Sequence, residues 1–220
     1  MSKFKEIAIT CPDCGKKGSA VVYELVNVTK NPELRAKIID FSLFSWLCPH
    51  CGAKRNLEQP LLYVDKKLEF AVHFAPVYDK YLEEKLELPK GLSQKTLGRL
   101  RKVSEINNLV EKILIAEAGL DDRMMEFCKL ALINYGLDFG GHEYMPDMLF
   151  FEKLVATTDG KELNFVWIDV AGEASIYSMR SEVHDNIMDD MAEALAQNIV
   201  PLTVIDLKWA MAQVQKYCKK

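Results

Sequence analysis

The stretch that decides the fold is T-C-P-D-C-G-K-K, residues 10–17, together with its second version, L-C-P-H-C-G-A-K-R, residues 47–55. In each, two residues separate a pair of cysteines, so that one tight turn presents both sulfurs to a single ion. The glycine after each pair, Gly15 or Gly52, can adopt the positive φ that such a turn needs. Four thiolates in two such turns suit tetrahedral zinc. We therefore predict one structural Zn²⁺ site, with the ligands Cys11, Cys14, Cys48 and Cys51.

The segment between the two cysteine pairs is longer than in most zinc ribbons. It holds 33 residues, from Gly15 to Leu47. Residues 19–28 are rich in Val and Tyr and predict a strand, and residues 31–40 predict a helix capped by Asn31 with Pro32 in its first turn. A strand over residues 44–47 then leads into the second pair. The expected architecture is a zinc-ribbon-like module with an inserted helix.

Rubredoxin offers an alternative interpretation of the same motif. It shares the C-P-x-C-G turn, and Trp46-Leu47 before Cys48 is similar to it; such a site would hold iron and transfer electrons. The helical insert and the large region that follows favour zinc. Four cysteine ligands also close the coordination shell, whereas catalytic zinc keeps an open position. We therefore expect a structural site.

Three further segments resemble one known family. They are N-V-T-K-N-P-E-L-R-A-K-I-I-D-F-S-L-F at 27–44, P-L-L-Y-V-D at 60–65 and L-V-E-K-I-L-I-A-E-A-G-L-D-D-R at 109–123. With the paired C-P-x-C motifs, they resemble the bacterial CpXC domain over roughly the first 130 residues. One position departs from the family pattern, because Phe41 stands where we expect a glycine. The resemblance implies a zinc site and its fold, and implies no activity.

The sequence as a whole predicts an α+β fold in two domains, residues 1–78 and 79–220. A hairpin over residues 57–75 closes the first domain, and a charged stretch from Pro76 to Pro89 marks the boundary.

The second domain begins with an αα-hairpin over residues 92–136. Its first helix is capped by Ser93 and ends at Gly119, and its second is capped by Asp121 and ends at Gly136. A β-hairpin over residues 148–169 follows. A helix starting at Ser181, a short strand over residues 202–205 and a last helix capped by Asp206 complete this small α+β region.

Composition places the chain among ordinary globular proteins, with 49% hydrophobic and 27% charged residues. The first residues carry no apolar signal segment, and no stretch approaches eighteen apolar residues, so we expect a soluble cytoplasmic protein with no membrane contact. In a reducing cytosol, paired C-x-x-C units hold metal more often than they form disulfides. Cys128 and Cys218 lie at apolar helix positions, where we expect them to pack in the core.

Charge distribution argues against nucleic-acid binding. Residues 1–78 carry 11 Lys and Arg against 8 Asp and Glu, but residues 141–220 carry 7 against 13. The basic residues beside the cysteines balance the negative charge expected for a zinc tetrathiolate; they are Lys16, Lys17, Lys54 and Arg55.

Motifs for catalysis do not assemble in this sequence. There is no P-loop, G-x-S-x-G or dinucleotide fingerprint, and His142-Glu143 lacks the second histidine of a metalloprotease helix. His184 and the acidic residues after it predict a solvated face, and His73 predicts a structural histidine in a strand. We expect a protein-interaction module, with a nucleic-acid-binding ribbon or an enzyme with scattered residues as alternatives. Phe41, Phe44 and Trp46 either meet a partner or fill the small core; the oligomeric state stays open.

Overall fold

The computed structural model describes residues 1–76 and 98–217, which fall into two compact units, 1–110 and 111–220. The elements of the first unit are β1 (Lys3–Thr10), β2 (Lys17–Asn27), α1 (Glu33–Ile39), a 3-10 turn (Ser42–Phe44), β3 (Ser45–Leu47), β4 (Lys54–Asn56), β5 (Leu61–Asp65), β6 (Phe70–Phe74) and β7 (Arg99–Val103). The second unit contains most of α2 (Ile106–Glu117), then α3 (Asp122–Asp138), β8 (Met148–Thr157), β9 (Gly160–Ile168), β10 (Ala174–Arg180), α4 (Ser181–Asp190), α5 (Ala192–Leu195) and α6 (Leu207–Tyr217). The predicted α+β class is confirmed.

The first unit is organised by a five-stranded sheet in the order β1-β2-β5-β6-β7. The predicted hairpin is present as β5 and β6, and nearly every residue of these two strands is buried, which explains their continuous apolar sequence. β2 pairs with β5 in parallel, so the chain must cross over between them, and the segment with α1 makes this crossing. Leu34 and Ile38 form the buried side of α1.

Residues 99–103 correct the predicted start of the αα-hairpin. They form β7, which pairs in parallel with β6 from Phe70↔Arg99 to Phe74↔Val103. Leu100 and Val103 are both buried. Their spacing fits one face of a helix, but it also occurs in a short strand that is buried by its neighbours. Pairing with β6 decides between them, and the helix begins only at Ile106. The predicted cap Ser93 and the predicted boundary between residues 78 and 79 lie outside the described residues.

Two helices, α2 and α3, lie where the sequence predicts the later part of the first helix and the second helix of the αα-hairpin. Gly119 ends α2 with a φ of 72°, and the Asp121 carboxylate accepts a hydrogen bond from the Arg123 N–H at 2.9 Å, as a helix cap does. Gly136 was predicted to end the second helix, and this is wrong, because α3 continues to Asp138. A Cβ on Gly136 would lie 2.9 Å from the Trp167 ring, so this glycine permits close packing.

A three-stranded antiparallel sheet in the order β10-β9-β8 is the centre of the second unit. The predicted hairpin over residues 148–169 is confirmed as β8 and β9. Phe165 and Trp167 are both fully buried on one face of β9, and Phe165 meets Phe151 edge to face at 5.8 Å. Sequence reasoning missed β10, as it missed β1.

The end of the described chain is helical. α4 begins at the predicted Ser181, and α6 begins after Asp206, whose carboxylate accepts from the Trp209 N–H at 2.8 Å. The predicted strand over residues 202–205 is wrong, because Leu202 has a φ of 64° and the chain turns there. Among the described residues, no helix has both the length and the apolar character that crossing a bilayer requires.

Phe41 has an unusual backbone conformation, with φ 61° and ψ 4°. This is the left-handed region, which glycine enters freely and a bulky side chain enters at a cost of about 1–2 kcal/mol. The conformation explains why the family pattern led us to expect glycine at this position. The chain turns here from α1 into the 3-10 turn that leads to the second cysteine pair.

Candidate metal centre

Both cysteine pairs lie in matching turns at the ends of two hairpins. In the first, between β1 and β2, the Gly15 N–H donates to the Cys11 carbonyl at 2.9 Å, and the Cys11 N–H donates to Lys16. In the second, between β3 and β4, the Gly52 N–H donates to the Cys48 carbonyl at 3.0 Å. The φ angles of Gly15 and Gly52 are 69° and 74°, as the sequence predicts. Each turn therefore directs its two thiols to one side.

The four sulfurs converge on one point. All four Sγ atoms lie within 4.8 Å of one another, and the Cys11–Cys51 and Cys14–Cys48 sulfurs are each 3.7 Å apart. A tetrahedral ion with Zn–S bonds of about 2.3 Å separates its sulfurs by about 3.8 Å, so these distances fit such an ion. The four cysteines could therefore hold a metal ion, and no other group of three or more Cys, His, Asp or Glu within residues 1–76 and 98–217 is arranged to do so.

Crowding makes the four thiols unequal in acidity. Burial opposes ionisation of Cys48, but backbone hydrogen bonds from His50 and Cys51 outweigh it and lower its pKa to about 6. At Cys51 a backbone hydrogen bond from Ala53 favours the thiolate, but burial and the neighbouring sulfurs prevail and raise its pKa to about 12. Four thiols this close cannot all ionise without a compensating charge. A metal ion held by the four sulfurs would supply that charge.

A small apolar cluster supports the sulfurs from one side. Its buried members are Cys11, Trp46 and Cys48. The Trp46 indole donates to the Ser19 carbonyl at 3.0 Å, which ties the second hairpin to the first. Gly18 leaves room for the ring, because a Cβ there would lie 3.1 Å from it. Trp46, two residues before the second pair, is therefore part of the scaffold.

The basic residues beside the turns have different roles. The Arg55 guanidinium pairs with the Asp13 carboxylate, which joins the second hairpin to the first cysteine turn. The exposed His50 imidazole makes a similar link, since its Nε2 lies 3.1 Å from the Lys17 carbonyl. Lys16 and Lys54 are exposed. Of the four cations expected to balance the thiolates, Arg55 is thus engaged by a carboxylate.

A network of buried charges lies in the second unit and was not predicted. Each member is at most 4% exposed. Lys129 Nζ lies 2.7 Å from Glu111 and 3.2 Å from Glu126, and Lys112 Nζ lies 3.0 Å from Glu126. Asp122 lies 3.4 Å from Lys112 and completes the network. The sequence does not single out these residues, and the one signal it offers is Glu111 within the apolar run of α2.

Hydrogen bonding fixes the Glu111 carboxylate in this network. Its second oxygen accepts from the Phe151 N–H at 2.7 Å, so that it connects α2 to β8. Burial raises the pKa of Glu111, with a smaller contribution from Glu126 and an opposing one from Lys129. Burial alone would lower the pKa of Lys129, but the carboxylates of Glu111 and Glu126 outweigh it and raise this pKa. Each charge depends on its partners for solvation.

His142 lies in an aromatic cluster that the sequence did not indicate. Its imidazole stacks on the Trp167 ring at 4.2 Å and its Nε2 lies 2.6 Å from the Tyr177 hydroxyl. Neither Trp167 nor Tyr177 is near it in sequence, so only the fold could reveal the contact. These groups pack and bond to each other, which gives His142 a structural place.

The remaining candidates take structural positions. His73 is buried in β6, where burial and, to a lesser extent, Lys102 lower its pKa and favour the neutral ring. His184 Nδ1 lies 2.9 Å from the adjacent Asp185 carboxylate at the protein surface. Cys128 is fully buried, as predicted, and burial raises its pKa to about 12, which keeps the thiol protonated and unreactive. Cys218 lies outside the described residues.

Comparison with known proteins gives one match. The family model described as CpXC protein matches residues 9–129, which is more than half of the chain and includes all four cysteines of the cluster. No curated protein and no solved structure matches the chain.

Proposed function

The chain belongs to the CpXC family, and from this premise we propose that it is a protein-binding module held together by one structural zinc ion. The observation that carries the proposal is the convergence of four cysteine sulfurs within 4.8 Å of one another. Such a set of thiolates fits a reducing cytoplasm, where we expect the protein to work.

Zinc is the metal we assign to the site. Tetrahedral sulfur sites hold either zinc or iron, so the geometry alone admits both. The inserted segment between the pairs distinguishes this module from a rubredoxin, in which iron would carry electrons. All four positions of a tetrahedral ion would be taken by cysteine here, so no position is left for a substrate or water. The role we propose for the ion is therefore structural.

A protein partner fits the surface of the metal module. Phe44 and Trp46 are buried in its core, so a partner could not reach them. Leu47, however, is 64% exposed beside the second cysteine pair, and Phe41 is 38% exposed. Exposed Lys54 pairs with Leu47 across β3 and β4. An apolar centre with a polar rim is the usual composition of a protein interface.

Nucleic-acid binding is the second candidate and has specific support in three exposed lysines, Lys16, Lys17 and Lys54. Affinity for nucleic acid rests on counterions released by several phosphate contacts. Three lysines beside a negative metal centre supply few such contacts, and residues 141–220 carry an excess of acidic groups. We therefore expect weak binding that salt abolishes.

Elemental analysis tests the metal. Protein produced in medium with both zinc and iron should contain one zinc per chain, and should lack the visible absorption of an iron–thiolate site. A chain with no metal, or with iron as the stable occupant, would overturn the structural-zinc proposal.

Affinity capture tests the partner, with a Leu47→Lys variant beside the wild type. Loss of the captured protein in this variant, but not in Val21→Lys, would assign binding to the metal module; Val21 is also exposed but lies on β2. Titration with mixed DNA and RNA at low and physiological salt tests the alternative. Micromolar affinity that persists at physiological salt would favour the nucleic-acid function instead.

A further inference from the structure

Two loops of the second unit meet at one end of its three-stranded sheet and expose apolar side chains. Residues 139–147 connect α3 to β8, and residues 169–173 form the turn between β9 and β10. The loops are adjacent, because the Asp147 N–H donates to the Ile168 carbonyl at 2.8 Å. Between them they expose four large apolar side chains, which are Phe139, Tyr144, Met145 and Val170. Exposed apolar side chains that cluster in this way mark sites of interaction.

The same loops carry negative charge only. Residues 138–147 and 169–173, which we call the acidic loop surface, contain no Lys or Arg and five carboxylates, which are Asp138, Glu143, Asp147, Asp169 and Glu173. Within the part of the chain that the structure describes, none of these carboxylates forms an ion pair. Apolar groups and unpaired carboxylates on the same two loops are complementary to a partner that is both apolar and cationic.

A small cavity lies between the two loops. Glu143 and Tyr144 line it from the first loop, and Asp169 and Val170 line it from the second. Its volume is about 190 Å³. Sites for small molecules usually measure about 300–1,000 Å³, so this cavity suits a single side chain of a partner better than a free ligand.

Contacts within the protein hold two residues of this cavity in place. The Asp169 carboxylate accepts hydrogen bonds from two backbone N–H groups of its own turn, each at 2.8 Å. His142 also lines the cavity, and its ring stacks on the buried Trp167 at 4.2 Å while its Nε2 lies 2.6 Å from the Tyr177 hydroxyl. Groups that are already ordered lose little conformational freedom when a partner binds.

We propose that the acidic loop surface binds an arginine side chain of a partner protein, whose neighbouring apolar residues cover Phe139 and Val170. These two residues are 79% and 70% exposed. A planar guanidinium pairs with carboxylates and stacks on an aromatic ring, whereas a lysine ammonium acts as a point charge. Glu143 and Asp169 supply the carboxylates at the cavity, and Tyr144 supplies the ring.

This surface is distinct from the one proposed on the metal module. All of its residues belong to the second unit, and none of them is a neighbour of a cysteine ligand in the sequence. Its carboxylates repel phosphate, so it also excludes nucleic acid as the occupant. The inference therefore depends neither on Leu47 nor on the metal.

Fluorescence anisotropy with a labelled peptide tests the proposal on the full-length, metal-loaded protein. The probe is a short peptide in which arginine alternates with leucine. At physiological salt it should bind saturably, with a dissociation constant below about 100 μM. The same peptide with citrulline in place of arginine keeps the shape and loses the charge, so it should bind at least about tenfold more weakly. A lysine version keeps the charge and loses the planar group, so it should bind about threefold more weakly.

Substitutions test whether the peptide binds at this surface. Asp169→Asn removes the charge and keeps an oxygen that can accept the hydrogen bonds of the turn. This variant and Glu143→Gln should each raise the dissociation constant about threefold, and Tyr144→Leu should remove the preference for arginine over lysine. Glu182→Gln is the matched control, because exposed Glu182 lies beyond the opposite end of β10 from the Asp169 turn, and it should leave the dissociation constant unchanged.

Backbone amide signals in an NMR spectrum locate the peptide on the protein. Signals of residues 141–145 and 169–172 should shift, and those of residues 11–15 and 48–52 at the cysteine turns should stay in place. The proposal is overturned by the absence of saturable binding, by equal affinity for the arginine and citrulline or lysine peptides, by shifts confined to the cysteine turns, or by an equal loss of affinity in Glu182→Gln. Self-association of the wild type that Glu143→Gln abolishes would assign the surface to a second copy of the chain and would also overturn it.

Discussion

The metal module, residues 9–20 and 44–57, and the second unit, residues 111–220, accommodate buried polar groups in different ways. In the module, the small cluster at the four thiols has three buried members, of which Cys11 and Cys48 are thiols and only Trp46 is not, and a core this small cannot by itself hold a fold. In the second unit, a large apolar cluster accompanies a network of five buried ionisable groups, in which three carboxylates pair with two lysines. From this comparison we expect the first region to depend on a bound metal ion for its stability, whereas the second carries its counter-charges in its own sequence.

Removing one thiolate should give the largest effect, and it tests whether the metal module depends on a bound metal ion. Structural zinc contributes about 10–16 kcal/mol in isolated finger peptides, so Cys48→Ser should abolish metal binding and unfold residues 9–20 and 44–57. The three tryptophan indole signals in an NMR spectrum report this separately. The Trp46 signal should lose its dispersion, while those of Trp167 and Trp209 should keep theirs.

Cys128→Ser is the matched control for this experiment, because Cys128 is buried and lies outside the cluster. It should retain one metal ion per chain and the native Trp46 signal. If Cys48→Ser instead removed the dispersion of all three signals together, the two units would share one folding transition.

Removing one buried cation should have the next largest effect, and it tests whether the second unit depends on its buried charge network. Lys129→Met leaves Glu111 without its lysine partner and Glu126 with Lys112 alone, and an uncompensated buried charge costs about 3–5 kcal/mol. Urea unfolding followed by tryptophan fluorescence should show this as a lower free energy of unfolding. Adding Glu111→Gln should recover part of the loss, since the carboxylate that lost its lysine partner is then uncharged.

The same substitution at an exposed lysine is the control against which the loss for Lys129→Met is compared. Lys153 is 55% exposed in its pair with Glu152, so Lys153→Met should change the free energy of unfolding by no more than about 0.5 kcal/mol. Equal losses for Lys129→Met and Lys153→Met would show that the buried network is not needed for stability.

The smallest expected effect concerns Phe41, which lies in the turn leading to the metal module. Phe41→Gly and Phe41→Ala both remove the ring, but only glycine adopts a φ of 61° freely. The glycine variant should therefore be more stable than the alanine variant by about 1 kcal/mol. Thermal unfolding of the metal-loaded proteins measures the difference, and an alanine variant at least as stable as the glycine variant would contradict the left-handed conformation.

Local chemistry explains what could be predicted from the sequence. The cysteine turns, the caps Asp121 and Asp206 and the β8–β9 hairpin depend on residues close in the chain, where spacing and side-chain type are sufficient. The expected glycine at position 41 also reflects a local backbone angle. These features can be predicted because few alternative structures satisfy the same short sequence pattern.

Long-range contacts explain what could not be predicted. β7 is a strand because β6 lies beside it, and its apolar spacing fits a helix equally well. Gly136 looked like a helix end, but a tryptophan distant in sequence requires its small size. Glu111 has no partner close to it in sequence that identifies its role, and only packing reveals that it meets Lys129 and the Phe151 N–H.

The separation of the two cysteine pairs has a consequence for the time course of synthesis. The ribosome adds about 5–20 residues per second, so the 33 residues between Cys14 and Cys48 delay the second pair by about 2–7 seconds. During that interval the nascent chain carries half of a metal site. Its two free thiols can oxidise to each other or accept another ion before the second pair emerges. We therefore expect the yield of protein loaded with the proposed zinc ion to depend on the redox state and metal supply around the ribosome as well as on the equilibrium stability of the finished site.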